Sequence, residues 1–245
     1  MDPLFDFTGC RALVTGGSRG LGREMALALA ARGADVVVAS RKLPACEAVA
    51  AEIAALGRRA VPIAANVSHW DQCDSLAAAA WAALGGLDIL VNNAGSGPRL
   101  PSPDVSEALF DKVLGLNAKG PFRLAAQLGA RMKAQGGGAI LNISSIAARV
   151  PMPEVVPYSM AKAALEAMTA ALAHEFAPEV RVNAIAAGPF LTDIADAWPE
   201  EARQTAPNAL RRPGRPEEIA TAALALLAPA SSFLTGAVLR VDGGH

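Results

Sequence analysis

Three polar residues, Ser145, Tyr158 and Lys162, have the types and the spacing that proton transfer requires. Tyr158 is the only tyrosine of the chain, and Lys162 follows it by four residues, so both side chains should lie on one face of a helix. A free phenol has a pKa of about 10, and a neighbouring ammonium lowers it by stabilising the phenolate. Ser145 could donate a hydrogen bond to a carbonyl oxygen on which negative charge develops. A tyrosine with a lysine one turn away is also common on protein surfaces, so the surrounding elements decide between the two interpretations.

The elements that would position these residues are a parallel sheet and the helices between its strands. Continuous runs of Val, Ile and Leu predict strands that are buried on both faces, at 12–14, 36–38, 61–63, 89–91, 140–143, 180–185 and 238–241. Between them, apolar residues recur three or four positions apart, as in helices. We predict an α/β fold: a single Rossmann-type domain over 1–245, with a doubly wound parallel sheet of about seven strands and helices on both faces. Pro62 indicates that the third strand is short or lies near an edge.

Two connections are longer than the others. Residues 95–138 contain a long helical stretch that we expect to break or kink near Gly120-Pro121. Residues 190–214 are irregular and contain several prolines, which is typical of a lid over a binding site. The lid would favour a partly apolar substrate through Leu191, Ile194, Ala197 and Trp198.

The turn after the first apolar run has the composition that a dinucleotide phosphate needs. It reads Thr15-Gly16-Gly17-Ser18-Arg19-Gly20-Leu21-Gly22 and leads directly into a helical pattern. Glycines let the backbone approach a ligand closely, and free N–H groups at a helix start favour a phosphate. Because the spacing is G-x-x-x-G-x-G and not G-x-G-x-x-G, an ordinary glycine-rich turn is the alternative. We predict cofactor contacts from Gly16, Ser18, Arg19, Gly20, Leu21 and Gly22.

The residues after the second apolar run, Ser40 and Arg41, indicate which dinucleotide would bind. NAD is usually met here by an acidic residue, whereas the 2′-phosphate of NADP calls for an arginine. Asp35 precedes the second run and so lies at the wrong end of its strand. Arg41 is correctly placed, and Arg19 could reach the same phosphate from the other side. We therefore predict NADP (NADPH) as the cofactor; the alternatives are NAD and two arginines that are merely solvated.

Small and amide residues follow the third and fourth apolar runs. Asn66 and Val67 come after the third run, and Asn92-Asn93-Ala94-Gly95 comes after the fourth. Ligands of such sheets bind at the carboxyl ends of the strands, so Asn66, Val67, Asn93, Ala94 and Gly95 are predicted to contact the adenine ring and the nicotinamide side of the cofactor. Taken alone, each segment is only a turn signal.

Composition and charge argue against several other classes of protein. Apolar residues make up 52 % of the chain, and a net charge of -1 gives little attraction to nucleic acid or to an anionic membrane. The uncharged run 219–239 contains Pro229 and Gly236, so it predicts helix, loop and strand instead of a membrane span. Three cysteines without a C-x-x-C pair indicate a cytoplasmic protein. Three scattered histidines, His69, His174 and His245, do not indicate a metal site.

Taken together, these residues resemble the short-chain dehydrogenase/reductase family over essentially the whole chain. The family motif T-G-x-x-x-G-x-G matches Thr15 to Gly22, N-N-A-G matches Asn92 to Gly95, and Y-x-x-x-K matches Tyr158 to Lys162. Ser145 precedes Tyr158 by 13 residues and follows Asn117 by 28, as the family pattern has them. Each motif alone is weak, but all of them in this order and at these spacings are specific.

The resemblance implies a role for each catalytic position. Tyr158 would be the general acid in reduction and the general base in oxidation, and Lys162 would lower its pKa and bind the nicotinamide ribose. Ser145 would orient the substrate oxygen, and Asn117 would hold a water that connects Lys162 to solvent.

The resemblance also implies cofactor contacts after the sixth strand and a homotetramer. Thr192 falls where the family contacts the nicotinamide carboxamide, with Gly188 and Phe190 beside it. The tetramer would be built from the helices of Asn117 and Tyr158 together with the C-terminal segment around residues 241–244. The chain departs from the family at Ala187-Gly188-Pro189, where Pro-Gly is common, and this difference could alter the lid and the choice of substrate.

The function predicted from the sequence is NADP-dependent oxidoreduction of a carbonyl or secondary alcohol, without metal. The substrate is a small molecule or an acyl thioester: a 3-oxoacyl thioester, a ketone or a sugar-type compound. Arg131 and Lys133 could help to dock an acyl carrier protein. The turn at 177–179 is acidic, however, so a free small-molecule substrate is supported as well as a carrier-bound one. An NAD-dependent enzyme of the same family and a non-catalytic dinucleotide-binding sensor or scaffold are the alternatives.

Overall fold

The central element is a parallel β-sheet, and it confirms the predicted fold class. The computed structural model describes residues 2–193, 195 and 198–245, and within them seven strands form one sheet in the order β3-β2-β1-β4-β5-β6-β7. All neighbouring strands pair in parallel. The strands are β1 (Arg11–Thr15), β2 (Asp35–Ser40), β3 (Ala60–Ala64), β4 (Ile89–Asn92), β5 (Gly138–Ser145), β6 (Val180–Ala187) and β7 (Val238–Val241).

Helices connect the strands and cover both faces of the sheet. They are α1 (Gly20–Ala30), α2 (Leu43–Ala55), α3 (Trp70–Leu84), α4 (Glu107–Leu114), α5 (Gly120–Gln135), α6 (Val156–Glu175), α7 (Glu200–Gln204) and α8 (Ile219–Leu227). Local signals fix some of their ends. Ser106 caps α4 by accepting a hydrogen bond from the backbone N–H of Leu109, and α3 ends at Gly85, which has a φ of +70°.

Two apolar cores lie on opposite sides of the sheet. Because neighbouring strand residues point to opposite faces, Ala12 and Val14 pack into one core and Leu13 packs into the other. The first core contains residues of α1, α2 and α8, and the second contains residues of α3, α5 and α6. Burial on both faces explains why the strands read as continuous apolar runs.

The order of the strands places a crevice between β1 and β4. From β1 the chain runs outwards through β2 to β3 and then returns to β4 on the other side of β1. At such a switch point the connections diverge above and below the sheet, which leaves room for a ligand at the carboxyl ends of the strands. The glycine turn (residues 16–20) and the segment after Asn92 both lie at this point.

Several finer predictions are also confirmed. β3, which contains Pro62, is five residues long and forms one edge of the sheet. The run 219–239 forms helix α8, a loop and the start of β7. The long helical stretch is interrupted by a π-helical turn at Gly115–Lys119, directly before Gly120-Pro121.

Within the described residues, no helix is long and apolar enough to cross a membrane.

Candidate active site

The glycine turn is tied to the end of β4 by Thr15 and Asn93. The Thr15 hydroxyl accepts hydrogen bonds from the backbone N–H groups of Asn93 (3.1 Å) and Ala94 (3.3 Å). In return, Asn93 Nδ2 donates to the carbonyl oxygens of Thr15 (3.0 Å) and Gly16 (3.2 Å). The turns that follow β1 and β4 are therefore joined by side-chain and backbone hydrogen bonds at the switch point.

Close backbone packing requires glycine at two positions of the turn. A Cβ atom at Gly22 would lie 2.3 Å from the carbonyl oxygen of Gly16, and one at Gly16 would lie 2.8 Å from Asn93 Nδ2. Gly16 also has a φ of +63°, which disfavours other residues. Ser18 and Leu21 are half-buried in the same turn and first helical residues. Side chains at these glycine positions would fill the space at the start of α1. Without them, the space and the free N–H groups fit the phosphates of a dinucleotide.

The start of the 190–214 segment packs against the glycine turn. A Cβ atom at Gly20 would lie 3.2 Å from Cγ2 of Thr192. Beside it, Arg19 Nη1 lies 3.1 Å from Asp193 Oδ2, and both side chains are about half exposed or more. The structure thus brings Arg19 and Thr192 to the same part of the crevice, but it pairs Arg19 with an acid of this segment. Of the apolar residues predicted for the lid, Ile194 and Ala197 lie outside the described residues.

The carboxyl end of β2 places Ser40 and Arg41 at the surface beside the glycine turn. Gly17 donates a backbone hydrogen bond to the carbonyl of Ala39 (3.3 Å), and Arg41 is exposed two residues later. Asp35 lies at the other end of the strand, where it pairs with Arg58 at 2.7 Å. The carboxylate is therefore remote from the crevice, as the sequence indicated.

The carboxyl end of β3 continues into Asn66 and Val67. Asn66 Oδ1 accepts hydrogen bonds from the backbone N–H (3.2 Å) and the hydroxyl (2.8 Å) of Ser68, which fixes the local turn. A Cβ atom at Gly120 would lie only 1.9 Å from the carbonyl oxygen of Val67. The start of α5 can therefore pack this closely against the segment after β3 only with glycine at this position. A groove of about 600 Å³ runs from Asn66 to Lys119, away from Tyr158.

Ser145, Tyr158 and Lys162 meet at the carboxyl end of β5. Ser145 is the last residue of that strand, and its hydroxyl, which accepts a hydrogen bond from the backbone N–H of Ala147 at 3.2 Å, lies close enough to Tyr158 to lower the pKa of the phenol. Lys162 lies one turn after Tyr158 in α6, with Nζ 5.5 Å from the centre of the phenol ring. Lys162 is only 3 % exposed, and its Nζ donates a hydrogen bond to the carbonyl of Ile143 at 2.7 Å.

Burial controls the acid–base properties of this group of side chains. Burial raises the pKa of Tyr158, and the nearby Ser145 hydroxyl opposes this effect. Burial lowers the pKa of Lys162 from its ordinary 10.5 to about 8, because the ammonium loses its hydration. In the chain itself, desolvation therefore acts against the expected lowering of the phenol pKa by Lys162.

Asn117 lies in the π-helical turn and faces the segment that follows β4. Its Nδ2 donates to the carbonyl oxygens of Ser96 and Val113, both at 2.9 Å, and its Oδ1 accepts from the backbone N–H of Ser96 at 3.3 Å. A Cβ atom at Gly95 would lie 2.8 Å from Asn117 Oδ1 and 3.3 Å from Lys162 Nζ. Asn117 and Lys162, two of the four predicted catalytic residues, thus both lie against Gly95. Both N–H groups of the Asn117 amide are occupied by the chain.

Sequence reasoning missed Glu166, which supports the site from behind. Glu166 accepts hydrogen bonds from the Ser144 hydroxyl (3.0 Å) and from Arg149 Nε (2.8 Å). The carbonyl of Lys162 lies 3.3 Å from the same hydroxyl and is its alternative acceptor, so these contacts join β5 to α6. The spacing of Tyr158, Lys162 and Glu166, each four residues after the last, was the signal that could have revealed it.

After β6, the chain passes Gly188 and Phe190 before it reaches Thr192. The backbone N–H of Gly188 donates to the carbonyl of Val241 at 3.0 Å, and a Cβ atom at Gly188 would lie 2.6 Å from the Cα of Asp242. Phe190 is buried, and its ring packs against Gly214. The two ends of the 190–214 segment are therefore joined.

Within the described residues, no cluster of three His, Cys, Asp or Glu side chains could hold a metal ion.

Comparisons with known proteins identify relatives of the whole chain. A protein-family model described as enoyl-(acyl carrier protein) reductase matches residues 16–245. The 7α-hydroxysteroid dehydrogenase of Escherichia coli K12 is 37 % identical over 237 residues, which cover 95 % of this chain and 92 % of that protein.

Solved structures share the whole fold. A 7α-hydroxysteroid dehydrogenase in complex with NADH and 7-oxo glycochenodeoxycholic acid matches with a TM-score of 0.93 and 35 % identity, covering 100 % of this chain and 96 % of that one. A 3-oxoacyl (acyl-carrier-protein) reductase of Agrobacterium tumefaciens C58 with NADP bound matches with a TM-score of 0.93 and 31 % identity, covering 99 % and 96 %.

Fold, site and relatives together define the class of protein. The chain belongs to the short-chain dehydrogenase/reductase family, whose members are oxidoreductases that bind a nicotinamide dinucleotide and act on CH–OH groups. The family resemblance seen in the sequence motifs is therefore confirmed.

Proposed function

We propose that this protein is an NADP-dependent oxidoreductase that interconverts a carbonyl compound and a secondary alcohol. The observation that carries the proposal is the cluster of Tyr158, Ser145 and Lys162 at the carboxyl end of β5, on the same edge of the sheet as the glycine turn. A phenol and a serine hydroxyl that can share one substrate oxygen suit proton transfer.

In the proposed mechanism, each side chain has one task. A bound nicotinamide supplies the hydride in reduction and accepts it in oxidation. Ser145 donates a hydrogen bond to the substrate oxygen, and Tyr158 gives its proton to the same oxygen as the alcohol forms. In oxidation, the Tyr158 phenolate takes the alcohol proton. The Lys162 ammonium favours the phenolate, although burial acts against it.

The remaining predicted residues would bind the cofactor and restore the proton. Gly16, Ser18, Gly20, Leu21 and Gly22 would hold the phosphates. Lys162 would bind the nicotinamide ribose. The Asn117 amide is occupied by Ser96 and Val113, so the backbone carbonyl of Asn117 is the group we propose for the water that connects Lys162 to solvent.

The rest of the cofactor would lie across the ends of the central strands. Asn66, Val67, Asn93, Ala94 and Gly95 would contact the adenine ring and the nicotinamide side, and Gly188, Phe190 and Thr192 would lie at the carboxamide. Ser40 and Arg41 favour the 2′-phosphate of NADP, because an exposed arginine stands where NAD enzymes usually have an acid. NAD remains the second candidate, since the matched 7α-hydroxysteroid dehydrogenase was solved with NADH.

For the substrate, we propose a free ketone or secondary alcohol and not a carrier-bound thioester. Docking of an acyl carrier protein would need free basic groups, but Lys133 donates to the carbonyls of Glu175 and Ala177 and pairs with Glu179 at 3.5 Å. Arg131 stacks on Trp81 at 5.8 Å. A lid at 190–214, with Leu191 and Trp198 half-buried, would favour a partly apolar molecule.

We also propose that the chain works as a homotetramer in the cytoplasm. Exposed apolar side chains on the elements implied by the resemblance support the tetramer: Phe122, Val156, Met160 and Leu239. Three free cysteines support a reducing compartment.

The proposed function is tested with the Tyr158→Phe variant and a panel of carbonyl compounds. We expect wild type to oxidise NADPH with at least one carbonyl, and the variant to lose about 10²- to 10⁴-fold in kcat, the usual contribution of a general acid. NADPH binding should be nearly unchanged, because the ring remains. A wild type that binds NADPH and reduces no carbonyl in the panel would favour the sensor or scaffold.

A further inference from the structure

The segment Gly95–Ser96–Gly97 runs along three of the proposed catalytic side chains. Gly95 lies against Lys162 and the Asn117 amide, and the backbone of Ser96 is bound by that amide at both its N–H and its carbonyl. Gly97, two residues after Gly95, lies against Tyr158. Gly95 belongs to the N-N-A-G motif, whereas Gly97 lies beyond it.

Gly97 has no backbone reason to be glycine. Its φ lies outside the left-handed region, and the residue is exposed on one side. On its other side, a Cβ atom would lie 2.9 Å from Cγ of Tyr158 and 3.0 and 3.1 Å from its two Cδ atoms. Carbon atoms in contact are ordinarily 3.5–4.0 Å apart, so even a methyl group at this position would displace either the ring or the loop.

The loop around Gly97 is held on both sides, so the ring would move before the loop does. On one side, the Asn117 amide holds Ser96 with two hydrogen bonds. On the other side, the backbone N–H of Leu100 donates to the carbonyl of Glu154 at 2.7 Å, and Arg99 lies 3.8 Å from the Glu154 carboxylate. Glu154 itself has a φ of +68°, which a non-glycine residue adopts only where its surroundings hold it.

The contact with Glu154 also ties the loop to α6. Glu154 precedes Val156, the first residue of α6, and Tyr158 lies in the first turn of that helix. The loop after β4 and the approach to α6 therefore meet at two places, at Leu100 and Glu154 and at Gly97 and Tyr158. The Tyr158 ring therefore lies between its own helix and a loop backbone that is hydrogen-bonded at Ser96 and Leu100.

We propose that Gly97 is a positioning residue, which sets the distance of the Tyr158 hydroxyl from Ser145 and from the substrate oxygen. In this role, Gly97 contacts neither substrate nor cofactor and acts only through the Tyr158 ring. The inference rests on the proposed role of Tyr158 as proton donor. A displacement of the phenol by a fraction of an ångström would slow proton transfer without affecting the binding of the dinucleotide.

The test is the Gly97→Ala variant, with Gly57→Ala as matched control. We expect kcat to fall about ten- to hundredfold, since misplacement by about 1 Å has effects of this size, while the Kd for NADPH stays within about twofold. Gly57 follows α2 at the opposite edge of the sheet, has a φ of +76° and has no atom within 4 Å of an added Cβ. Its variant should lose some stability through backbone strain and keep kcat.

The single tyrosine gives an NMR signal that a general loss of stability would not change. With ¹³Cζ-labelled tyrosine, the chain has one phenol resonance, which reports the ionisation of Tyr158 directly. Gly97→Ala should change its chemical shift and its midpoint of titration, and Gly57→Ala should leave both unchanged. If Gly97→Ala does not fold, a nuclear Overhauser effect between the Gly97 α-protons and the Tyr158 ring protons tests the contact in the wild type.

The outcomes separate this inference from the proposed function. Activity retained by Tyr158→Phe would overturn the proposed function. Loss of activity in Tyr158→Phe, together with an unchanged kcat and phenol titration in Gly97→Ala, would overturn only the role of Gly97. Absence of the Overhauser effect in the folded wild type would do the same.

Discussion

At the Tyr158 end of the crevice, Lys162 and Asn117 are buried and bound by the chain, whereas at the Arg41 end the arginines are exposed to solvent. Lys162 is 3 % exposed and Asn117 is fully buried, with hydrogen bonds to backbone groups. Arg41 and Arg19 stand at the surface, and the side chain of Arg19 is 64 % exposed. Both ends lie on one edge of the same sheet, yet their surroundings differ in polarity and in freedom of movement.

The difference in burial predicts how strongly substitutions at the two ends should act. In a buried site, charges interact strongly and side chains are already placed, so the removal of one group has a large effect. At an exposed site, water and salt screen each interaction, so a single charge contributes little. We therefore expect large effects of substitution near Tyr158 and in the glycine turn, and smaller effects near Arg41.

The largest effect on cofactor binding should come from Gly22→Ala, in the turn that joins the two ends. The new Cβ would collide with the carbonyl oxygen of Gly16 and with Asn93 Nδ2. A backbone carbonyl cannot retreat like a flexible side chain, so the cradle should open and NADPH affinity should fall by about a hundredfold, or roughly 3 kcal/mol. Isothermal titration calorimetry measures this loss.

Gly9→Ala is the matched control for Gly22→Ala, because an added Cβ at Gly9 would have no atom within 4 Å. Both variants should lower the melting temperature, but only Gly22→Ala should weaken NADPH binding. Binding within threefold of the wild type in Gly22→Ala would show that the turn is not the phosphate site.

A smaller effect is expected from Arg41→Asp, which tests the exposed end. The substitution should reverse the preference from NADPH to NADH, because an acid repels the 2′-phosphate and can accept a hydrogen bond from the ribose hydroxyl. Each cofactor's affinity should change by about tenfold, as for a partly screened charge-assisted hydrogen bond. Thermal stabilisation by each cofactor measures the preference.

Arg59→Asp, at the opposite edge of the sheet, carries the same change of charge and should leave the preference unaltered. Equal stabilisation of the wild type by NADPH and NADH would contradict the choice of NADP. Because Arg19 pairs with Asp193, we expect Arg41 to contribute more than Arg19 to any preference for NADPH.

Much of this comparison could be predicted from the sequence, because it depends on local signals. Continuous apolar runs indicated buried parallel strands, and Pro62 indicated an edge strand. Asp35 could be excluded as a cofactor ligand from its place before a strand, and the structure has it paired with Arg58. The spacing of the family motifs predicted four catalytic residues, and the structure places two of them, Asn117 and Lys162, against Gly95.

The rest depends on contacts between distant parts of the chain. Arg19 and Asp193 are 174 residues apart, and no local pattern indicates that they pair. The Asn117 amide binds backbone groups of Ser96 and Val113, which are near it only in the folded chain. Burial is also a tertiary property, so a motif that places a lysine near a phenol does not tell that desolvation raises the pKa of Tyr158.

The smallest effect, and the sharpest probe of the buried end, is the pH dependence that Lys162 should produce. Its folded pKa of about 8 lies below the ordinary 10.5, so between these values the unfolded chain binds more protons than the folded chain. The free energy of unfolding should therefore rise as pH increases from about 8 to 10.5. Carbonyl reduction should begin to fall as pH rises through about 8, because loss of the ammonium removes the charge that stabilises the phenolate formed when Tyr158 gives up its proton.

Between pH 7 and pH 8 the rate of reduction should fall by about twofold, the loss expected as a group with a pKa of about 8 becomes half deprotonated. Lys162→Met should remove this contribution to the slope of stability against pH, and Lys112→Met, at an exposed position, should keep it. Chemical unfolding at several pH values measures the slope. If the free energy of unfolding has the same slope against pH in wild type and Lys162→Met, Lys162 is not the titrating group. The expected electrostatic difference between the buried Tyr158 end and the exposed Arg41 end would then be wrong.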